Sequence, residues 1–229
     1  MASKTVNAQY NLAAPESLAV RIATRVRGQM FDAFMARLRP RAEETVLDIG
    51  VTSDQSYTSS NYFELLYPYK GRITAAGIDD AKFLETLYPG VTFAFANALD
   101  LPFADQSFDL VHSSAVLEHV GSFANQAQMV AETLRVARRA VYLTTPNRWF
   151  PIEFHTQVPL LHWLPKPQCR ALFRLLGLDF FAEEANLNLM TTAELAEIGR
   201  QHPGWSFSFA PAYLWGWKSN LVLVGERRG

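Results

Sequence analysis

The chain has 229 residues, enough for one α/β domain with a full core and short for two. Hydrophobic residues make up 49% and charged residues 19%, a globular composition and not a disordered one. Lys and Arg number 21 against 22 Asp and Glu, so the net charge of −1 offers no basic surplus for a general grip on nucleic acid, and one cysteine, Cys169, excludes an intramolecular disulfide or a multi-thiolate zinc site.

Met1 to Tyr10 lacks the apolar core of a signal peptide, and no run of about 18 apolar residues follows, so a cytoplasmic protein without a spanning helix is expected. Leu18 to Leu38 predicts an amphipathic helix: Leu18, Ile22, Val26, Met30, Phe34 and Leu38 recur at fours, with arginines between them. Packing on the domain edge is its expected role; a lid or a membrane-surface helix is the alternative. Thr45 to Gly50 predicts a short buried strand ending in a turn. Tyr62 to Tyr67 predicts a helix stopped by Pro68. A second strand follows at 72–79, a short helix at 81–88, a third strand at 91–96 and a fourth at 108–113. A helix at 125–137 and a fifth strand at 140–145 complete an alternation that points to a parallel, doubly wound sheet. Pro151, Pro159, Pro165 and Pro167 then break up an aromatic segment, read as an insertion above the sheet's carboxyl edge. Thr191 to Glu194 has the pattern of a capping box opening a helix to about Arg200. Ser206 to Ala210 and Asn220 to Glu226 predict two closing strands. The expected fold is thus a Rossmann-like sheet of about seven strands with helices on both faces, in a single domain. Its parts are an N-terminal helical segment 1–44, a ligand-binding core 45–145, a substrate-side insertion 146–190 and a C-terminal segment 191–229.

Ligands of open α/β sheets bind outside the carboxyl ends of the strands. The first strand ends in Asp48, Ile49 and Gly50, where a small residue permits close backbone approach and a carboxylate can accept from a ligand amine. The second ends in Asp79 and Asp80; Asp79 suits the hydroxyls of a ribose, and Asp80 can instead cap the next helix. After the third, Asn97, Ala98 and Leu99 offer an amide and an apolar platform for a base ring. After the fourth come Ser113, Ser114, Glu118 and His119, an acid beside an imidazole able to take a proton. His155, Arg148, Trp149 and Glu153 follow the fifth strand and should overhang an acceptor.

Val46 to Gly50, Ala76 to Asp79, Ala98 to Phe103, Ser107 to Val111, Leu117 to Val120 and Glu132 to Val136 stand in an order that resembles class I S-adenosylmethionine (SAM)-dependent methyltransferases, in the small-molecule branch of the ubiquinone and menaquinone enzymes. The resemblance covers roughly residues 45–145. It implies SAM as cofactor, with Asp48 and Gly50 near its methionine part, Asp79 on the ribose, Asn97 and Ala98 at the adenine, and Ser113 or Ser114 beside the donor methyl. One piece departs from the pattern. The family continues Asp-Ile-Gly with Cys-Gly-x-Gly, whereas this chain reads Val51-Thr52-Ser53-Asp54 and has no further glycine until Gly71. Hydroxyls of Thr52, Ser53, Ser59 and Ser60 can replace the missing backbone contacts.

Methyl transfer from a sulfonium depends mostly on alignment, and a base is needed only where the acceptor must lose a proton. His119 and then His155 are the expected bases, with Glu118, Arg148, Trp149 and Glu153 as substrate contacts. No metal is expected, since His155 and His162 lack an obvious third ligand. The expected acceptor is a hydroxyl oxygen on an apolar small molecule, such as a lipid-linked, glycan or secondary-metabolite substrate. Peripheral membrane contact and a monomer or homodimer are compatible with it. The alternatives are a SAM-binding enzyme with other chemistry and a non-catalytic binding module.

Overall fold

A computed structural model describes residues 14, 17–57 and 59–229. The reading of Met1 to Tyr10 lies outside them. Helix α1 (Leu18–Leu38) has the predicted bounds. Ser17 caps its start by accepting from the Val20 N–H, and Arg39 stops it in the left-handed conformation. The parallel strands are β1 (Val46–Ile49), β2 (Ile73–Gly77), β3 (Thr92–Phe95), β4 (Phe108–Ser114) and β5 (Ala137–Pro146). Between them lie α2 (Tyr62–Leu66), α3 (Phe83–Leu87) and α4 (Phe123–Val136). Beyond β5 come α5 (Lys166–Leu175), α6 (Asp179–Ala182) and α7 (Thr192–Arg200), then β6 (Trp205–Phe209), β7 (Ala212–Leu214) and β8 (Trp217–Arg227).

The sheet runs β3-β2-β1-β4-β5-β8-β6, with β7 paired to β8 off this path. Strands β1 to β5 pair in parallel, and β8 and β6 join antiparallel. Strand order reverses beside β1, and the crevice above that point is where such sheets bind ligands.

Because side chains alternate faces along a strand, the central strands feed two cores. Leu47, Val111, Val141, Leu143 and Leu223 pack on one face with Met129 and Leu134 of α4 and Leu195 of α7. Val46, Leu110, Tyr142, Val222 and Val224 pack on the other with Phe31, Phe34 and Leu38 of α1 and Phe63 of α2. A third cluster, Cys169, Phe173, Phe181, Leu187 and Leu189, binds the insertion together. Cys169 is buried there as a small apolar residue.

The structure differs from the sequence reading in several places. The sheet has eight strands, since the short β7 escaped notice. The insertion is more ordered than expected: Pro165 is the N-cap of α5 and Pro167 lies in its first turn, where a missing N–H costs nothing. Helix α4 begins at Phe123, two residues early, capped by Ser122. The capping box at Thr191 and Glu194 is present as predicted.

Candidate active site

A cavity of about 360 Å³ opens over the carboxyl ends of β1 to β4. Its wall includes Gly50 and Thr52 after β1, Gly77 and Ile78 at and beyond the end of β2, Asn97, Ala98 and Leu99 after β3, and Ser114 and His119 at and beyond β4. These bring together most of the predicted cofactor residues. Gly50 has φ +100°, and a Cβ there would meet Val116 Cγ2 at 2.1 Å, so the floor of the cavity requires glycine. At Gly77 a Cβ would lie 2.6 Å from the Val51 carbonyl oxygen. Asn97 turns its Oδ1 onto the Leu99 N–H. Ile78 is 64% exposed at the rim, an apolar surface on which a ring can rest.

A second cavity of about 110 Å³ adjoins the first through Arg27, Ser60, Ser114, Ala115 and His155, which line both. Its remaining wall is mainly apolar: Val20, Ala23, Val26 and Met30 of α1, with Phe154. Helix α1 is therefore neither edge packing alone nor a detached lid. Its apolar stripe joins the core, and Arg27 beside that stripe reaches the cavities.

Four predicted residues lie behind the wall. Asp48 faces the α1 side because Ile49 and Leu47 face the other; its Oδ1 is 2.5 Å from Nδ1 of His112, its neighbour in register on β4. The Phe63 ring stacks on that imidazole and Tyr62 Oη lies 3.2 Å from its Nε2. Burial raises the Asp48 carboxyl to about 7 and lowers His112 to about 3. Asp48 thus reaches only a small crevice below the floor, with Ser60, Asn61 and Ser114. Asp79 is buried one residue beyond Ile78 and accepts from Ser53 Oγ at 3.3 Å. Glu118 and Glu153 are both buried next to the imidazoles.

Four more are placed elsewhere, and these readings are corrected. Ser113 donates its hydroxyl to the Ile49 carbonyl, inside the sheet. Asp80 is exposed and accepts from the Lys82 N–H in a turn ahead of α3, whose start no side chain caps, so it holds neither a ligand nor the helix end. Arg148 donates to the carbonyls of His162 and Leu164 and lines a separate small pocket with Lys166 and Arg170. Trp149 lies at the surface, under the Arg148 guanidinium and against Trp163.

The two predicted bases do meet: the rings of His119 and His155 are 4.8 Å apart, edge to face. Their environments push them apart. His119 donates Nδ1–H to the Asn186 carbonyl at 2.7 Å, and burial lowers its pKa to about 3. His155 donates Nδ1–H to Glu153 Oε1 at 2.6 Å. Burial opposes the charge of His155, but the Glu153 carboxylate outweighs it and raises the imidazole above its ordinary value. Burial likewise opposes ionisation of Glu153, yet His155 and the N–H groups of His155 and Thr156 hold its carboxyl down to about 2. Glu118 accepts from Thr145 Oγ1 at 2.9 Å, and burial raises it to about 7. Among the described residues, Glu118, His119 and His155 are the group whose donor atoms gather within 4.8 Å, a set able to hold a proton or a divalent cation.

Sequence reasoning missed Arg27, Val116 and Ala185 of the cavity wall, and His112 beneath it, whereas Ser60, whose hydroxyl was expected near the cofactor, does line the wall. The arginines of α1 were visible in sequence, but only the packing of α1 says which one turns inward.

Residues 58–144 match the methyltransferase domain family. The chain is 33% identical over 154 residues to an uncharacterized methyltransferase of Mycobacterium avium, covering 58% of each chain. It is 31% identical over 107 residues to an O-methyltransferase of Aspergillus sclerotiorum, covering 45% of this chain and 40% of that one. The chain thus spans about half the length of the curated relatives it matches. Among solved structures, the magnesium protoporphyrin IX methyltransferase of Synechocystis with bound SAH superposes with a TM-score of 0.58 at 16% identity, over 92% of this chain and 86% of that one. Residues 58–144 thus match the methyltransferase domain family, on a fold that the chain shares with SAM-dependent methyltransferases of known structure.

Proposed function

We propose that the chain transfers a methyl group from SAM to a hydroxyl oxygen of a small, apolar acceptor. The observation that carries this is the pair of joined cavities: a larger one over the strand ends, and a smaller apolar one that meets it at His155. The larger volume lies in the range of about 300–1000 Å³ typical of small-molecule sites.

The residues present suit the cofactor. Asn97 and Leu99 with Ile78 offer an amide edge and an apolar face to a purine. Asp79 is the carboxylate nearest the β2 end for a ribose, with Ser53 already on one oxygen. Gly50 and Gly77 keep the floor low. Bound there, SAM supplies a methyl group on a good leaving group.

The chain's own residues do the rest. Val20, Ala23, Val26, Met30 and Phe154 hold the apolar body of the acceptor. His155 takes the proton of the acceptor hydroxyl on Nε2, while Glu153 fixes the ring by its hold on Nδ1–H and stabilises the cation formed. This order reverses the one expected from sequence: His119, whose low pKa makes it a poor base, shapes the wall beside it. In this reading the chain acts as one unit, since α1 and the insertion both contribute walls to cavities floored by the matched domain.

The test is calorimetry with SAM and S-adenosylhomocysteine (SAH), followed by transfer from methyl-labelled SAM to phenols and to matched thiols and amines. Label on the phenols supports the reading. Binding with label only on nitrogen or sulfur removes the hydroxyl acceptor, and no binding of either nucleoside removes the cofactor.

A further inference from the structure

The surface beside the smaller cavity carries aromatic side chains that the fold does not use. Strands β7 and β8 form a hairpin in which Leu214 pairs with Trp217, so Trp215 and Gly216 are its two-residue turn. Both are left-handed, at φ +51° and +81°. A turn of this kind favours Asn-Gly, and a bulky residue at its first position is strained. Trp215 stands there nonetheless, 69% exposed. The chain holds a large apolar ring in an unfavourable backbone position and buries little of it.

Neighbouring rings extend this surface. Tyr213 and Trp217 on the hairpin are both exposed. Trp217 stacks on Trp163 with ring centroids 6.5 Å apart, and Trp163 meets Trp149 at 6.4 Å. Ile152 and Leu160 are exposed on the loop between Trp149 and Trp163, which a bridge from Ile152 to Pro159 closes. Tryptophan and tyrosine suit the boundary between water and lipid, where an apolar body and a polar tip are both satisfied.

The charges around these rings are of one sign. Residues 146–164 and 210–220, which build the surface, carry Arg148, Lys218 and one acid, Glu153, which is buried against His155. Arg148 lies over the Trp149 ring, and Lys218 is exposed next to Trp217. Helix α1 packs on β7 and adds Arg21 and Arg25, both exposed, with no acid from Leu18 to Phe31. The same elements wall the smaller cavity, through Ala19 and Val20 of α1, Pro146 and Phe154 at and beyond the end of β5, and Asn220 of β8.

We infer that this surface docks on an anionic lipid bilayer, with Trp215 and Trp217 among the headgroups, and that the smaller cavity takes its acceptor from the lipid phase. The second half rests on the apolar acceptor proposed above; the docking does not. Basic side chains near a membrane gain from its negative surface potential, and the rings add the apolar hold that charge alone lacks.

Sedimentation of the full chain with vesicles tests the docking, using phosphatidylcholine alone and phosphatidylcholine mixed with phosphatidylglycerol. The parent should bind the mixed vesicles, bind the neutral ones on the order of 10-fold more weakly, and lose that preference in high salt. Trp215→Asn should weaken binding on the order of 10-fold while the melting temperature holds or rises, because asparagine accepts the left-handed turn. A fall in both together would confine Trp215 to folding and overturn the inference. Lys218→Glu should weaken binding to mixed vesicles on the order of 10-fold and leave neutral vesicles within about twofold. No binding to either vesicle, or binding indifferent to both substitutions, overturns the inference. So does a dimer in sedimentation velocity that Trp215→Asn dissociates, in a protein that ignores vesicles, since the patch then belongs to a second copy. Vesicle binding needs no cofactor, so its failure leaves the SAM reading standing, and failure to bind SAH leaves the docking standing.

Discussion

Replacing Gly50 with alanine tests how the first strand end is built. Two separate costs arise. The backbone at φ +100° suits glycine, and a side chain there costs about 1–3 kcal/mol. The added Cβ would also stand 2.1 Å from Val116 Cγ2 and 3.5 Å from Val116 Cβ, so the valine must move. Valine is stiff at χ1, and forcing it from its place costs about 1–3 kcal/mol more. Gly50→Ala should therefore lose about 2–6 kcal/mol, a large part of the roughly 5–15 kcal/mol that holds a domain together. Val116→Ala removes Cγ2 and relieves the second cost but not the first. Urea unfolding of the parent, both single variants and the double variant gives the coupling, which should favour the double variant by about 1–3 kcal/mol. Additive costs, with coupling under about 0.5 kcal/mol, would refute the clash, and a Gly50→Ala variant as stable as the parent would refute the backbone argument too.

Three further outcomes follow from the site. The methyl-transfer rate should rise with pH through the raised pKa of His155, since the neutral imidazole is the base; Glu153→Gln should move that rise to lower pH and lower the plateau, and an unmoved profile takes His155 out of the proton transfer. Glu64 is fully buried, and burial with the nearby Asp48 raises its carboxyl well above the ordinary value. The folded state thus holds that proton more tightly, so its contribution is whole below about 4.5 and is lost as pH climbs through the folded value. Glu64→Gln should accordingly gain stability relative to the parent between pH 5 and pH 9 in denaturant titrations, while a constant difference would mean that Glu64 does not titrate there. Asp79→Ala should weaken SAH on the order of 10-fold or more by calorimetry; unchanged affinity removes the ribose assignment.

The sheet was legible because its central strands are buried on both faces and read as continuous apolar runs, and because the helices between them carry their own stop signals. Pro165 and Pro167 misled for a physical reason: proline breaks a helix interior but is welcome at its start, and sequence alone does not say which position it holds. Asp48 misled through parity. Its place before Gly50 suggests a ligand contact, but the two-residue alternation of β1 turns it toward His112, and only the parallel register shows that an imidazole waits there. The pairing of His155 with Glu153 was within reach of sequence, two residues apart, yet which histidine is held by an acid became plain only from the hydrogen bonds.

Helix α1 supplies a wall to both cavities while lying outside the stretch that matches the methyltransferase domain. Occupancy of the cavities and seating of α1 are thus linked equilibria: whatever ligand binds against the seated helix also holds it down, and by the same amount the loosening of the helix eases release. Val26, Met30 and Phe34 are the buried stripe that keeps α1 in place, so substitutions there should alter ligand residence time at a site their side chains only partly form.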